Sequence, residues 1–260
     1  MQVIIFCGGL GTRLREETEF RPKPMLNIGP RPILWHIMKI FSCQGYEEFI
    51  LPLGYKGEMI RDYFYHYELM NNDVTIELGK NERLTIHESH DECGWKITMV
   101  NTGELTEKGG RLKRVERFVH GDRFLLTYGD GVADVDVDQL LAFHESHGKC
   151  VTITGVSAKQ QFGELQLDGS RITSFREKPM KSENGTIISG GFMVCERRIF
   201  DYLSPDTACD LEIGVLDKLA SEGELMVYRH MGFWSCMDTY RDMVWLNKLW
   251  DTGKAAWKIW

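Results

Sequence analysis

The sequence lacks any apolar segment long enough to cross a bilayer. The apolar run at residues 3–6 is too short for the hydrophobic region of a signal peptide, and glycines follow it closely. Paired cysteines are also missing, since the seven cysteines are scattered and form no C-x-x-C motif. Such thiols are typical of a reducing compartment. We therefore expect a soluble, cytoplasmic protein that folds without disulfides.

Basic residues are in the minority, with 31 lysines and arginines against 38 aspartates and glutamates. The formal net charge of −7 argues against a protein that binds nucleic acid by neutralising many phosphates over a broad surface. Any phosphate-binding site must therefore be local. The chain also lacks a linker-like boundary, a long low-complexity run and an internal repeat. We predict a single domain over residues 1–260.

The spelling H-E-S-H-x-x-C occurs twice, at residues 87–93 and 144–150. Histidine and cysteine at this spacing could hold zinc. However, His144 and His147 fall in a predicted helix, where both fit ordinary polar-face positions, and the other copy lies in a polar segment. We therefore interpret these histidines as ordinary polar residues and not as zinc ligands.

Short apolar runs alternate with segments of helical periodicity. Residues 2–7, 48–53 and 123–128 are typical of strands buried on both faces of a parallel sheet. Residues 32–42 and 57–67 carry apolar side chains at helical spacing. This order predicts an α/β fold with right-handed crossovers. We expect a Rossmann-like, three-layer fold whose sheet is mixed but mainly parallel and is flanked by helices.

The remaining elements are shorter. Further strands are predicted at residues 74–78, 84–87, 96–100, 151–156, 163–167, 172–176, 189–195, 226–229 and 233–236. Further helices are predicted to start near residues 111–114 and to cover residues 139–147, 199–203, 211–222 and 239–253.

The strongest local signal is C-G-G-L-G-T-R-L, directly after the first predicted strand. Gly8, Gly9 and Gly11 let the backbone approach phosphate oxygens, so that successive N–H groups can bind an anion. The segment matches neither a P-loop nor the dinucleotide fingerprint, whose third glycine is missing. A tight turn would also explain the glycines, but Arg13 has the planar guanidinium that suits phosphate. We therefore predict a phosphate-binding loop.

Other segments carry candidate phosphate and metal ligands. Lys23 lies between two prolines that restrict its backbone, although Pro-Lys-Pro can equally mark a surface loop. Asp130 stands between glycines at the end of a predicted strand, where a carboxylate can hold Mg²⁺. Asp238 could supply a second carboxylate or cap the helix that follows it. Asp134 fits better as a helix N-cap or a solvent-facing residue.

A second lysine pinned by a proline is Lys178, preceded by Glu177. Because the chain would then have two such lysines, it could bind two phosphorylated substrates. Gly163 and Gly191 could bring the backbone close to a sugar, or form bulges in a twisted sheet.

Taken together, these motifs resemble the sugar-1-phosphate nucleotidylyltransferases. The signature of that family, G-G-x-G-T-R-L followed by P-K-P, is matched at residues 8–14 and 22–24. The similarity covers nearly the whole chain and is greatest to members that use CTP and glucose 1-phosphate, through residues 33–38, 54–57, 109–115, 128–134 and 253–260. It implies transfer of a nucleotidyl group from CTP to glucose 1-phosphate, a Mg²⁺ cofactor, and a homo-oligomer.

The resemblance also implies residue roles on the nucleotide side. Arg13 would bind the β- and γ-phosphates and Lys23 the α-phosphate, while Asp130 and Asp238 would hold Mg²⁺. The other implied nucleotide-binding residues are Gly8, Gly9, Gly11, Thr12 and Arg111.

On the sugar side, the resemblance implies that Lys178 binds the sugar phosphate. Glu177, Gly163 and Gly191 would face the sugar hydroxyls. The implied catalytic residues are then Arg13, Lys23, Asp130 and Lys178. The sequence departs from the family pattern at residues 157–161 and around residues 208–215, two stretches that could border the sugar pocket.

Rival classes explain less of the sequence. An NAD-linked oxidoreductase would need the missing third glycine and an acidic residue near the end of the second strand. A nucleotide-sugar sensor would need no metal carboxylates, and a structural oligomer would leave the pinned lysines unexplained. If the chain self-associates, the aromatic tail at residues 257–260 is a candidate contact surface.

Overall fold

The computed structural model describes residues 1–79, 83–87, 92–157, 164–168, 171–176 and 187–260. The strands are β1 (Gln2–Phe6), β2 (Asn27–Ile28), β3 (Arg31–Pro32), β4 (Glu48–Leu53), β5 (Val74–Glu77), β6 (Arg83–Ile86), β7 (Lys96–Asn101), β8 (Arg123–Tyr128), β9 (Gly131–Ala133), β10 (Val151–Ser157), β11 (Glu164–Asp168), β12 (Arg171–Arg176), β13 (Ile187–Glu196), β14 (Leu225–His230) and β15 (Trp234–Cys236). The α-helices are α1 (Arg15–Thr18), α2 (Ile33–Ser42), α3 (Gly57–Tyr65), α4 (Tyr67–Asn71), α5 (Lys108–Val115), α6 (Val137–His147), α7 (Asp217–Ser221) and α8 (Tyr240–Asp251). None of the helices in the described ranges is long and apolar enough to cross a membrane.

A seven-stranded sheet forms the centre of the molecule, in the order β14-β10-β13-β8-β1-β4-β7. β1 pairs in parallel with β4 and β8, β4 with β7, and β10 with β14. β13 runs antiparallel to both of its neighbours, β8 and β10. The sheet is therefore mixed and mainly parallel, which confirms the predicted fold class.

Helices cover both faces of this sheet because its central strands are apolar on both sides. In β1, Val3 and Ile5 pack in a layer that includes α2, α6 and α8. Ile4 and Phe6 point the other way, into a layer that includes α5 and α7. These four side chains are almost completely buried, and burial of each contributes about 1.5–3 kcal/mol. The result is the predicted three-layer arrangement.

Most predicted elements are present within a few residues of their expected bounds, but three helices differ. The helix predicted over residues 57–67 divides at His66, where the backbone leaves the helical region between α3 and α4. The helix predicted over residues 199–203 is instead the end of a 3₁₀ helix, Arg197–Tyr202. The predicted helix over residues 211–222 begins as a wide turn, Leu211–Leu216, because Gly214 has a φ of +117° and interrupts the helical path.

His144 is completely buried, so the prediction that it occupies an ordinary polar-face position is wrong. Its Nδ1 lies 2.8 Å from the Thr152 hydroxyl and its Nε2 lies 3.0 Å from Glu196. His147 contacts the same hydroxyl at 2.8 Å. Within the described part of the chain, no group of three or more histidine, cysteine or acidic side chains is placed to hold a metal ion. This histidine pair therefore ties α6 to β10 and β13.

Trp257, in the aromatic tail at residues 257–260, packs onto α2, so the prediction that this tryptophan is exposed is wrong, whereas Ile259 is 43% exposed and the tail as a contact surface stays a prediction. Trp257 is completely buried and belongs to the layer that contains α2. Its indole N–H donates to Nδ1 of His36 at 3.4 Å, and Nε2 of His36 lies 2.9 Å from the Ile28 carbonyl. His36 is thereby held as a neutral imidazole that donates through Nε2.

We expect acid to destabilise the protein through His36. Burial, helped by the nearby Arg31 and Lys258 charges, lowers the pKa of His36 from 6.5 to about 4. Because the unfolded chain binds the proton first, the free energy of unfolding should fall as the pH drops from 6.5 towards 4, by about 3 kcal/mol in total from this residue. Urea denaturation at several pH values measures this slope. His36→Gln should flatten this slope, and an unchanged slope in that variant would contradict the assignment to His36.

Candidate active site

A cleft of about 300 Å³ opens at the carboxyl ends of β1 and β8. In open α/β sheets this is the edge at which ligands bind. The glycine loop follows β1, and Gly129 and Asp130 follow β8. The cleft is lined by Phe6, Gly8, Gly9, Gly11, Thr12, Arg13, Lys23, Pro24, Thr106, Glu107, Lys108, Arg111, Tyr128, Gly129, Asp130 and Asp238. All the described residues predicted for the nucleotide side are therefore in one place.

The glycine loop turns sharply at Gly11, which has a left-handed φ of +64°. A Cβ atom on this residue would lie 2.7 Å from a methyl carbon of Thr18, so a larger side chain would be strained and would clash. The Thr18 hydroxyl also donates to the Gly11 carbonyl at 3.1 Å. This turn leads into a short 3₁₀ helix, Thr12–Leu14, and leaves the Arg13 side chain 75% exposed at the cleft.

Lys23 lies at the centre of a cluster of four charged side chains. Its ammonium group donates to Asp130 at 2.6 Å and also to Asp238. Arg13 donates from Nη1 to the other oxygen of Asp238 at 2.9 Å. Pro22 is extended and Pro24 is buried, which fixes the backbone on both sides of the lysine. Two cations and two carboxylates thus converge at one edge of the sheet.

The charges in this cluster stabilise one another. Burial acts to lower the pKa of Lys23, but the charges and hydrogen bonds of Asp130 and Asp238 outweigh it and raise that pKa. For Asp238, burial acts to raise the pKa, and Lys23 and Arg13 lower it overall. The lysine is therefore a cation and Asp238 a carboxylate at neutral pH.

Asp238 does not cap the terminal helix, which was the alternative role considered for it. Thr239 is the N-cap of α8 and forms a capping box with Asp242. The neighbouring Met237 N–H donates to the Asp130 carbonyl at 2.8 Å, which brings the two carboxylate-bearing segments together. The side chain of Asp238 is thus left to face Lys23 and Arg13.

Asp134 is neither a helix N-cap nor simply solvent-facing, so that prediction is wrong. It accepts the Phe233 N–H at 2.6 Å and lies 2.9 Å from Nε2 of His230. Asp136 caps α6 instead. Asp134 therefore holds the segment between β14 and β15 against β9.

Arg111 lines the cleft, but backbone oxygens occupy its guanidinium group. It is only 3% exposed and donates to the carbonyls of Gly8 at 2.8 Å and Gly103 at 2.6 Å. It also donates to the Leu53 and Glu104 carbonyls and to the Thr102 hydroxyl. Burial lowers the pKa of Arg111. Arg111 therefore supports the glycine loop through its hydrogen bond to the Gly8 carbonyl. A contact between Arg111 and the nucleotide stays a prediction.

We expect Arg111→Met to destabilise the protein by roughly 3 kcal/mol or more, because several buried carbonyls would lose their donor. Chemical denaturation measures the loss. Arg117→Met is a suitable control, since Arg117 lies just beyond α5 on an exposed surface. Equal stability of the two variants would contradict the supporting role of Arg111.

Three residues near the cleft were not predicted from the sequence. The Tyr128 hydroxyl donates to Glu212 at 2.7 Å, and Lys108 donates to the same oxygen of Glu212. The Lys108 ammonium lies 5.0 Å from the centre of the Tyr128 ring. Tyr128 stands two residues before Asp130, and this proximity could have identified it as a residue of the cleft. Lys108 and Glu212 are far apart in the sequence, so nothing linked them.

Gly163, Glu177 and Lys178 lie outside the described residues. Gly191 is described and is buried in β13 with a φ of +85°. A Cβ atom on it would lie 2.6 Å from the ring of Tyr128, which itself lines the cleft. The sugar side of the site is therefore described only at Gly191, next to the wall that Tyr128 forms.

The fold and this charged, glycine-lined cleft are those of a nucleotidyl transferase. The sequence profile of the nucleotidyl transferase family matches residues 2–255, and the chain belongs to that family. This confirms the resemblance inferred from the motifs.

Its similarity to particular relatives is extensive. The chain is 47% identical to the glucose-1-phosphate cytidylyltransferase of Salmonella typhi, over 100% of both chains. It is 43% identical to the probable glucose-1-phosphate cytidylyltransferase of Bacillus subtilis, again over 100% of both. Among solved structures, HddC from Yersinia pseudotuberculosis superposes with a TM-score of 0.68 at 22% identity, covering 96% of this chain and 99% of that one. The last comparison bears on the fold alone.

Proposed function

We propose that the protein transfers a cytidylyl group from CTP to α-D-glucose 1-phosphate, giving CDP-glucose and pyrophosphate. The observation that carries the chemistry is the convergence of Arg13 and Lys23 with Asp130 and Asp238 beside the glycine loop. The choice of CTP and glucose 1-phosphate is supported by the names of the full-length relatives at 47% and 43% identity.

The reaction needs positioning of two anions more than it needs acid–base catalysis. An oxygen of the sugar phosphate attacks the α-phosphorus of CTP in line, and pyrophosphate leaves. The attacking oxygen is already ionised at neutral pH, so no general base is required. Lys23 would bind the α-phosphate and Arg13 the β- and γ-phosphates. Their positive charge lowers the repulsion between the substrates and stabilises charge in the transition state.

A Mg²⁺ ion fits the donor set of the cleft. Asp130 and Asp238 both reach the Lys23 ammonium, so their oxygens converge on one point. Mg²⁺ is usually bound by one or two carboxylates together with substrate phosphates, which is what this pair could offer. When bound, the ion would neutralise phosphate charge. In this arrangement Asp130 and Asp238 would hold the ion, and Lys23 and Arg13 would bind the phosphates.

On the sugar side, Lys178 would bind the sugar phosphate, with Glu177, Gly163 and Gly191 near the hydroxyls. A cytoplasmic location also belongs to the proposal, because CTP is an intracellular metabolite. We further propose that the protein self-assembles. Assembly is supported by an exposed aliphatic face on the β5–β6 hairpin, where Ile76 and Leu84 are 51% and 49% exposed. An isolated hairpin is marginally stable in water, so such a face gains from being covered. Sedimentation analysis measures the assembly state.

The direct test is pyrophosphate release with glucose 1-phosphate and Mg²⁺, with CTP, UTP, dTTP and ATP offered in parallel. We expect a strong preference for CTP. Preference for dTTP or UTP would keep the mechanism and refute the base assignment. If none of the triphosphates reacts, the same assay with other sugar 1-phosphates separates an enzyme of different sugar specificity from a nucleotide-sugar sensor.

A further inference from the structure

β13 contains a bulge beside the cleft. Its pairing register with β10 shifts between Ile153 and Gly155, because β13 has extra residues there. Gly190 and Gly191 lie in this bulge, and Gly191 adopts the left-handed φ already described. Bulges redirect a strand and are frequent next to active sites.

Two aromatic side chains hold the bulge from different elements. The indole N–H of Trp234, on β15, donates to the Gly190 carbonyl at 2.7 Å. The Tyr128 ring, on β8, lies against Gly191 so closely that no Cβ could be accommodated. A Cβ on Gly190 would also lie 2.9 Å from Val156 and 3.4 Å from the Trp234 ring. The bulge is thus confined on both sides.

The same two elements carry the carboxylates of the cleft. β15 pairs with β9, so that Cys236 lies opposite Gly131, next to Asp130. Asp238 follows β15 by two residues, and Tyr128 precedes Asp130 by two. Trp234 therefore connects the backbone of the carboxylate pair to the bulge of β13 through a single hydrogen bond.

We infer that Trp234 is a positioning residue that fixes the bulge of β13, and with it the sugar-phosphate side of the cleft, relative to Asp130 and Asp238. The inference rests on the proposed function, in which Gly191 faces the sugar. The indole acts through the Gly190 carbonyl and need not touch the substrate. Without this donor the bulge would sample other positions, and the sugar phosphate would bind a less well-defined surface. The glycine loop follows β1 and is not part of the bulge, so it should be unaffected.

Trp234→Phe tests this role because it keeps an aromatic ring and removes only the N–H donor. We expect KM for glucose 1-phosphate to rise about fivefold, which corresponds to the loss of one neutral hydrogen bond. KM for CTP should stay unchanged, because CTP binds on the glycine-loop side. Trp95→Phe is the matched control: Trp95 packs against Trp35 and Phe49 away from the cleft, and its replacement should change neither KM.

Hydrogen exchange gives a second readout that needs no substrate. Amides of residues 187–193 should exchange faster in Trp234→Phe than in wild type or in Trp95→Phe. Unchanged exchange, or an equal rise in both KM values, would refute the inference. If wild-type protein forms no CDP-glucose, the proposed substrates are wrong. The exchange measurement then still tests whether Trp234 holds the bulge of β13. The KM comparison is made with the sugar phosphate that the enzyme accepts.

Discussion

Arg13→Ala should lower kcat for nucleotidyl transfer by about 10²-fold or more, because it removes a charge that stabilises the transition state. The fold should survive the change. The Arg13 side chain is 75% exposed, and an exposed ion pair contributes at most about 1 kcal/mol to stability. Steady-state kinetics and urea denaturation of the same preparation measure both quantities.

A matched control for Arg13 exists at the far side of the molecule. Arg198, which is 48% exposed against 75% for Arg13, forms an ion pair with Glu224 at 2.8 Å, compared with 2.9 Å between Arg13 and Asp238. Arg198→Ala should therefore cost as little stability as Arg13→Ala and leave kcat unchanged. Lys23→Ala should also lower kcat by about 10²-fold or more. Normal turnover in Arg13→Ala would count against the assignment of phosphate binding to the glycine loop.

Asp238→Asn should lower kcat by about 10²-fold to 10³-fold, because the amide keeps the shape of the side chain but loses its charge. In the proposed mechanism this residue both holds Mg²⁺ and partners the two cations that bind phosphate. Asp130→Asn should behave similarly. We expect each variant to need more Mg²⁺ for half-maximal activity and to lose the rise in Tm that Mg²⁺ and CTP together give the wild type.

Asp138→Asn is the control for these carboxylates. Asp138 is an exposed carboxylate that accepts a hydrogen bond from Tyr46 at 2.8 Å, outside the cleft. Its replacement should leave the Mg²⁺ dependence as in the wild type. If Asp238→Asn kept the wild-type Mg²⁺ requirement, Asp238 would not be a metal ligand, and its role would be limited to holding Lys23 and Arg13.

The predictable part of the fold is the part in which local pattern and final environment agree. The strands at residues 48–53 and 123–128 were predicted with the bounds that the structure shows, because runs buried on both faces are apolar at most positions. The divided helix at His66 and the wide turn at Gly214 were not, since tertiary packing decides there between continuing and leaving the helix. The buried position of His144 depends on Thr152 and Glu196, which no periodicity connects to it.

Most of the nucleotide side of the site was predictable because its residues follow strands directly. The glycine loop and Asp130 lie at strand ends, and topology brings such ends together. Arg111 shows the limit of this reasoning: the family resemblance implied that it lies near the nucleotide, whereas the structure pairs its guanidinium group with backbone carbonyls brought from elsewhere in the fold. The contacts of Lys108 and Trp234 are equally invisible in sequence, because each joins segments that are distant along the chain.

The contact between Trp257 and His36 spans 221 residues, so α2 is synthesised well before the residue that completes its packing. At 5–20 residues per second, a ribosome would release α2 roughly 10 to 45 s before Trp257 is made. During that interval the side of α2 that Trp257 covers has no partner. α2 is therefore completely packed only after Trp257 has been made, and until then its uncovered side can promote aggregation of the nascent chain.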